Sequence, residues 1–183
     1  MVNAMIDKNL MLFRNRAIVE AVPVDGWQYR ILDYTDRETY IPVTDWADYD
    51  DTVTFSDRKT CMMKTSFTPK KPLSHEVSYL DLRLPRDCEA FVSIDGVHYA
   101  GVDNNTQRCK VFLEESMYDR EITIGLEIYA CVFCNDERIV KPLENPCYVI
   151  ADKALYDFSY TMDFVRDLIK YIRNDYTKRQ HRL

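Results

Sequence analysis

Six cysteines, three histidines and a dense acidic stretch are the side chains in this sequence best suited to metal binding or acid–base chemistry. Cys131 and Cys134 form the one CxxC pair, a spacing found in zinc sites and thiol–disulfide enzymes. The pair lies within an alternating run, residues 121–133, and positions three apart on a regular strand point to opposite faces. No second CxxC is present, and no helix begins at the motif. We therefore expect reduced thiols, several of them buried as small hydrophobic residues, and no metal-binding residues.

The acidic stretch, residues 45–51, carries four aspartates and Trp46. Paired carboxylates of this kind could act on a glycosidic bond or bind calcium. The stretch lacks the glycine and distal glutamate of a helix–loop–helix calcium loop, so an exposed acidic loop is the preferred interpretation. His75 and His98 have no nucleophile partner that the sequence reveals, and no G-x-S-x-G elbow is present. We identify no catalytic residues.

Composition excludes several classes of function. The chain has 183 residues, which predicts about one domain, and a net charge of -6 that argues against nucleic acid as a partner. Its 4 glycines form neither a GxGxxG nor a P-loop spacing, which excludes the common nucleotide-binding loops. No apolar run approaches the ~18 residues of a membrane span, and the N-terminus lacks a signal-peptide core. We expect a cytoplasmic protein without a membrane partner.

Helical periodicity is restricted to the two ends of the chain. Apolar residues near helical spacing predict a short helix over residues 3–15. Near the C-terminus an apolar stripe predicts an amphipathic helix from an Asp152 N-cap to about Asn174, followed by a basic tail. The stripe consists of Leu155, Phe158, Met162, Val165, Ile169 and Ile172.

The region between these helices is typical of short strands. β-type runs occupy residues 17–24, 28–34, 52–55, 61–67, 77–84, 90–94, 97–101, 110–113 and 121–133. In the last run one apolar face comprises Ile122, Ile124, Leu126, Ile128, Ala130 and Val132. Many short strands with one buried face each predict a mainly β protein with an antiparallel β-sandwich or jelly roll. The predicted division is a helical segment at 1–16, the sandwich at 17–152, and the C-terminal helix and tail at 153–183.

One hairpin is especially clear in the sequence. Asp95 and Gly96 separate two strand-like runs, and a two-residue type I′ turn needs positive φ at both positions. Gly101 follows on the returning strand, where we expect a bulge or a close backbone approach. Asp103 is expected to accept hydrogen bonds from its own loop. These four residues are therefore interpreted as a structural motif.

The run containing this hairpin, Phe91-Val-Ser-Ile-Asp-Gly-Val-His-Tyr-Ala-Gly-Val-Asp-Asn-Asn105, resembles a motif of cytosolic-type α-mannosidases of glycoside hydrolase family 38. The resemblance continues through residues 121–133 and 147–152 and spans roughly residues 25–172. It implies a β-sandwich that precedes a catalytic barrel, with the following helix leading towards that barrel. The family's catalytic part binds a divalent metal through His and Asp ligands.

The sequence departs from this family in two respects. It contains no His-x-Asp motif and no segment long enough for a barrel of ~250 residues, so none of the catalytic or metal-binding residues can be carried over. Asn105 stands where the family often has histidine. The resemblance therefore implies a non-catalytic accessory domain that holds no cofactor itself, packs on a catalytic domain and helps to shape the substrate cleft.

Two alternatives remain open from the residues alone. One is a free-standing module for mannose-containing carbohydrate, in which Trp27, Trp46 or Tyr99 offers a stacking surface. The other is a protein-interaction domain that docks through its C-terminal helix or a sheet edge.

Overall fold

The chain is mainly β, with antiparallel sheets and a helix near each end, as the sequence predicts. A computed structural model describes residues 2–36, 39–56, 59–84, 88–103, 108–130, 139–140 and 142–180. Within these ranges the chain divides into two compact units. One unit comprises Met1–Glu20, Pro72–Val77 and Ile150–Leu183, and the other comprises Ala21–Lys71 and Ser78–Val149.

The helices and strands follow one another in a simple order. The helices are α1 (Val2–Ala17) and α2 (Lys153–Gln180), with a short 3-10 helix at Glu115–Met117. The strands are β1 (Ile18–Pro23), β2 (Gln28–Asp36), β3 (Thr39–Pro42), β4 (Ala47–Asp48), β5 (Phe55–Ser56), β6 (Lys59–Phe67), β7 (Glu76–Arg83), β8 (Cys88–Ile94), β9 (Val97–Val102), β10 (Arg108–Phe112), β11 (Ile122–Ala130), β12 (Ile139–Val140) and β13 (Glu144–Asp152).

Among the described residues the largest sheet has seven strands, in the order β3-β2-β6-β11-β8-β9 with β4 on β2. Its pairs are antiparallel, and β11 lies at the centre between β6 and β8. The predicted apolar face of β11 is buried from Ile122 to Ala130. Val132 lies outside the described residues. Because side chains alternate along a strand, the intervening residues of β11 lie on the opposite, outer face of the sheet.

A second sheet in the described part of the chain has the order β1-β13-β7-β10. Here the expectation of one buried face per strand is wrong for β7, because Tyr79 and Asp81 are buried as well as Leu80 and Leu82. Side chains of the antiparallel neighbour β10 contact both Tyr79 and Asp81. Its residue Arg108 binds the Asp81 carboxylate through two nitrogens, and the Lys110 ammonium lies 4.6 Å from the centre of the Tyr79 ring.

The β8–β9 hairpin contains the two-residue turn that the sequence predicts. Asp95 and Gly96 have φ of 50° and 79°, and Ile94 pairs with Val97. The expected bulge is not at Gly101, since the register instead skips Tyr99. A methyl group at Gly101 would meet no atom of the described residues within 4 Å, so the expected close backbone approach is not found among them.

The two helices belong to the same compact unit and pack against each other. Phe13 meets Phe158 edge to face with ring centres 5.2 Å apart, and Arg14 forms an ion pair with Asp163. The predicted N-cap is confirmed, because the Leu155 amide donates to the Asp152 carboxylate at 2.8 Å. Neither described helix combines the length and apolarity that crossing a membrane requires.

Candidate functional site

A groove on the outer face of the seven-stranded sheet brings aromatic and acidic side chains together. On the neighbouring strands β8 and β11, Phe91 pairs with Glu127 and Glu89 pairs with Tyr129. All four residues alternate with the buried residues of their strands, so they share the outer face. They form a checkerboard of two rings and two carboxylates. We call these four residues the checkerboard.

The groove above the checkerboard has a volume of about 660 Å³, within the range of small-molecule sites. Its described lining comprises Tyr40, Thr60, Glu89, Ala90, Phe91, Gly101, Val102, Asp103, Glu127 and Tyr129. Two residues of the hairpin motif, Gly101 and Asp103, therefore also line the groove. Gly101 pairs with Phe91, so the missing side chain leaves the outer face beside that ring open.

Glu127 lies at the centre of this arrangement. It is half-buried, and the Tyr40 hydroxyl from β3 donates a hydrogen bond to its Oε1. Because a hydrogen bond with a fixed donor restricts a carboxylate's rotation, Glu127 presents its acceptors in a defined direction. Beside it, the Phe91 ring is 57% exposed and meets the His98 ring edge to face at 5.7 Å. Tyr129 is 38% exposed.

Trp46 lies in the loop between β3 and β4 and contacts two cationic side chains of the same sheet. It does not belong to the described groove lining. The Arg30 guanidinium is 4.8 Å and the Lys64 ammonium 4.2 Å from the centre of the ring. The ring is 36% exposed. Since both cations contact its π system, a ligand stacking on the covered part of the ring would have to displace them.

The other two predicted sugar contacts have different surroundings. Trp27 is only 5% exposed, and its indole nitrogen donates to the Val24 carbonyl at 2.6 Å. The prediction that Trp27 offers a stacking surface is therefore wrong, because its ring faces are packed in the interior. Tyr99 is half-buried at the bulge of β9, and a hydrogen bond to Glu114 raises its pKa to about 12.

Asp95 contributes to the hairpin and not to the groove. Its carboxylate accepts hydrogen bonds from the Thr123 amide and from Arg120, both at 2.8 Å. These bonds hold the pKa of Asp95 below its usual range. The turn is therefore tied to the start of β11, which carries half of the checkerboard.

The acidic stretch forms a local turn. The Asp50 carboxylate accepts hydrogen bonds from the Thr52 amide at 2.8 Å and from the Thr52 hydroxyl, so the strand predicted at 52–55 is reduced to Phe55 and Ser56. No group of three acidic, histidine or cysteine side chains within the described residues is arranged to hold a metal ion. Cys131 and Cys134 lie outside those residues, as does Asn105.

The sequence alone did not single out Tyr40, Glu89, Glu127 or Tyr129. The signal available was the polar and aromatic content of outer-face positions in residues 88–94 and 121–133. Alternation along one strand predicts which residues share a face, but not which strands are neighbours. The sequence therefore does not show that Phe91 lies beside Glu127 or Glu89 beside Tyr129.

Neither known family models nor curated proteins match this chain. Among solved structures, it is similar to part of an FMN-binding β-glucuronidase from Faecalibacterium prausnitzii L2-6, with a TM-score of 0.54 and 13% sequence identity over 72% of this chain. A xylanase 10C (mutant E385A) from Cellvibrio japonicus, solved with xylopentaose, has a TM-score of 0.34 and 11% identity over 72% of the chain. The chain spans 22% of the length of the first protein and 28% of the second. The first similarity concerns the fold alone.

Proposed function

We propose that this chain is a non-catalytic accessory domain of a glycoside hydrolase, and that the groove on its seven-stranded sheet binds carbohydrate. The observation that carries this proposal is the checkerboard of Glu89, Phe91, Glu127 and Tyr129 in an open groove of about 660 Å³. Carbohydrate is amphipathic, with apolar ring faces and hydroxyl edges. The checkerboard matches both properties within the dimensions of one groove.

The two exposed rings supply the apolar part of such a site. The C–H-bearing face of a pyranose packs on an aromatic ring, and the apolar area that this contact removes from water is worth about 25 cal/mol per Å². Phe91 and Tyr129 are diagonal neighbours on adjacent strands, which places their Cα atoms about 7–8 Å apart and their Cβ atoms somewhat closer. That spacing allows one sugar ring to contact both, or two adjacent sugar units to contact one each.

The carboxylates supply the polar part. Glu89 and Glu127 each offer two oxygen acceptors to hydroxyl groups at the rim of a stacked ring, and hydrogen bonds to a charged acceptor are stronger than neutral ones. The bond from Tyr40 orients Glu127 in advance, which lowers the ordering cost of binding.

The accessory role is supported by the fold and by the resemblance to cytosolic-type α-mannosidases. In this proposal the described sheets form a sandwich or jelly roll, and a separate catalytic domain carries the metal and the reaction. The fold similarity to part of a β-glucuronidase agrees with a domain of this type. We propose a mannose-containing ligand on the resemblance, and a cytoplasmic location on the composition.

Binding of methyl α-D-mannopyranoside and mannotriose, measured by calorimetry, tests this proposal. Phe91→Ala is expected to weaken binding by about three- to tenfold, because it removes one of the two rings and the apolar contact area that the ring offers to the sugar. Phe164→Ala is the matched control, because it removes a phenylalanine that is 67% exposed on α2, outside the groove. No binding at tens of millimolar sugar, or equal losses in the two variants, would contradict the proposed site.

The non-catalytic part has its own test. The pure chain is expected to release no nitrophenol from nitrophenyl α-mannoside, with or without added divalent metal. Sustained turnover that co-purifies with the folded chain would contradict an accessory role.

The exposed face of α2 favours a second role, docking on a catalytic domain or another protein. Tyr160, Phe164, Leu168 and Tyr171 follow one another at helical spacing, and each is between 45% and 73% exposed. This exposed row of large side chains differs from the stripe predicted from the sequence, and an exposed row of this kind is typical of a helix that binds a partner. Light scattering of the pure chain tests its self-association: a dimer that Phe164→Asp converts to a monomer would assign the exposed row to a second copy.

A further inference from the structure

The charge of the groove restricts which sugars it can bind. Its described lining contains three carboxylates, Glu89, Asp103 and Glu127, and no lysine, arginine or histidine. Glu89 and Asp103 are exposed at the surface, while Glu127 is half-buried at the centre. A ligand that reaches both checkerboard rings therefore lies among negative charges.

Two lysines of β6 are the nearest cations that the described part of this sheet places beside the groove, and both contact other groups. Lys64 pairs with Gly125 and is a diagonal neighbour of Glu127, but its ammonium lies on the Trp46 ring. Lys59, next to Thr60 of the groove lining, forms an ion pair with Asp33.

Arg30 lies in the same row as Glu127 and Phe91, since it pairs with Met62, which in turn pairs with Glu127. Two strand spacings of about 4.8 Å therefore separate Arg30 from Glu127 in the sheet. The Arg30 guanidinium is directed to the Trp46 ring and to the Met62 sulfur, 3.6 Å away, rather than to Glu127.

We infer that the groove selects sugars without an acidic group and rejects uronic acids, an inference that rests on the proposed carbohydrate-binding function. A hexopyranoside and its uronic acid differ only at C6, where a hydroxymethyl group is replaced by a carboxylate. The neutral sugar donates hydroxyl hydrogen bonds to Glu89 and Glu127. The uronate adds a negative charge beside them, and like charges within one site oppose binding.

The expected difference in affinity follows from the distance between the uronate carboxylate and the glutamates of the groove. A uronate stacked on Phe91 or Tyr129 places its carboxylate within about 4–8 Å of at least one checkerboard glutamate, because cross-strand neighbours are that close. Repulsion at such distances near a protein surface corresponds to about tenfold weaker binding at low salt. Screening reduces the ratio as the ionic strength rises.

The test compares methyl α-D-mannopyranoside with the corresponding methyl mannosiduronate at equal, low ionic strength. We expect the neutral sugar to bind about tenfold more tightly. Glu127→Gln and Glu89→Gln should each raise uronate affinity relative to the mannoside and so reduce the ratio. Glu89→Gln at the surface serves as the second variant if Glu127→Gln perturbs folding. Glu144→Gln, an exposed glutamate outside the groove, should leave the ratio unchanged.

The outcomes separate this inference from the function on which it rests. Equal or tighter binding of the uronate, or a ratio that neither groove variant alters, would overturn the charge selection while the carbohydrate site stands. Absence of binding by the mannoside would overturn the proposed function and this inference together.

Discussion

Truncation of Ile128 tests whether β11 is the central anchor that positions the groove. Ile128 is fully buried, and its strand neighbours Glu127 and Tyr129 belong to the checkerboard. If the buried face of β11 holds the strand in place, then shortening Ile128 to alanine must lower the free energy of unfolding by an amount typical of a well-packed core.

The expected loss can be worked out from the packing. Ile→Ala removes three carbon atoms, each worth about 0.8 kcal/mol of transfer free energy when fully buried. The register places Ile128 between Cys61 on β6 and Ala90 on β8, two short side chains that have little reach into a new cavity. The cavity term therefore persists, and we expect a total loss of about 3–4 kcal/mol, with about 1 kcal/mol for Ile128→Val.

Urea unfolding followed by tryptophan fluorescence measures this loss, because buried Trp27 becomes exposed on unfolding. Ile41→Ala is the matched control: Ile41 is 53% exposed on the edge strand β3, and its truncation should cost less than about 1 kcal/mol. If the two alanine variants lost equal stability, the reasoning that β11 is anchored through its buried face would be refuted.

Three further predictions concern the hairpin and the thiols. Asp95→Asn keeps the turn but removes a carboxyl group whose pKa is depressed in the folded state. This carboxylate stabilises the fold above the ordinary pKa of about 4, and the contribution is lost as the pH falls through the depressed value. The urea midpoint of the variant should therefore decline less than that of the wild type between pH 5 and about 2.5. Gly96→Ala, at a φ of 79°, should cost about 1–2 kcal/mol, whereas Gly101→Ala should be neutral or stabilising by up to about 1 kcal/mol; equal effects in thermal unfolding would count against the hairpin geometry. Burial raises the pKa of the Cys61 thiol to about 12, so at pH 8 half-buried Cys109 should be alkylated before Cys61 in the native protein. Peptide mass spectrometry follows the order, and labelling of Cys61 before Cys109 would argue against a closed core.

Much of the secondary structure could be predicted because it depends on local patterns. The alternation over residues 121–133 indicates the buried face of β11, and the Asp95-Gly96 pair indicates the turn, since few residues adopt positive φ at both positions. The burial of Asp81 could not be predicted, because it depends on Arg108, a residue 27 positions away that becomes a neighbour only in the sheet.

The candidate site was less accessible to sequence reasoning. Composition singles out Trp27 and Trp46 as sugar contacts, yet Trp27 is buried and Trp46 is engaged by two cations. The groove instead combines Phe91 and Tyr129, whose pairing depends on the register of β8 against β11. Sequence patterns predict which residues share a face of one strand, but register between strands is a property of the whole sheet.

Mapping the sugar by backbone amide chemical shifts tests the central claim most directly. Titration with methyl α-D-mannopyranoside is predicted to move the amide signals of β8, β9 and β11 around Phe91, Gly101 and Tyr129, with saturation at a single affinity. Phe91→Ala should reduce these shifts, while Phe164→Ala should not. Absence of shifts in these strands at tens of millimolar sugar, or shifts confined to α2, would contradict a carbohydrate site on this sheet.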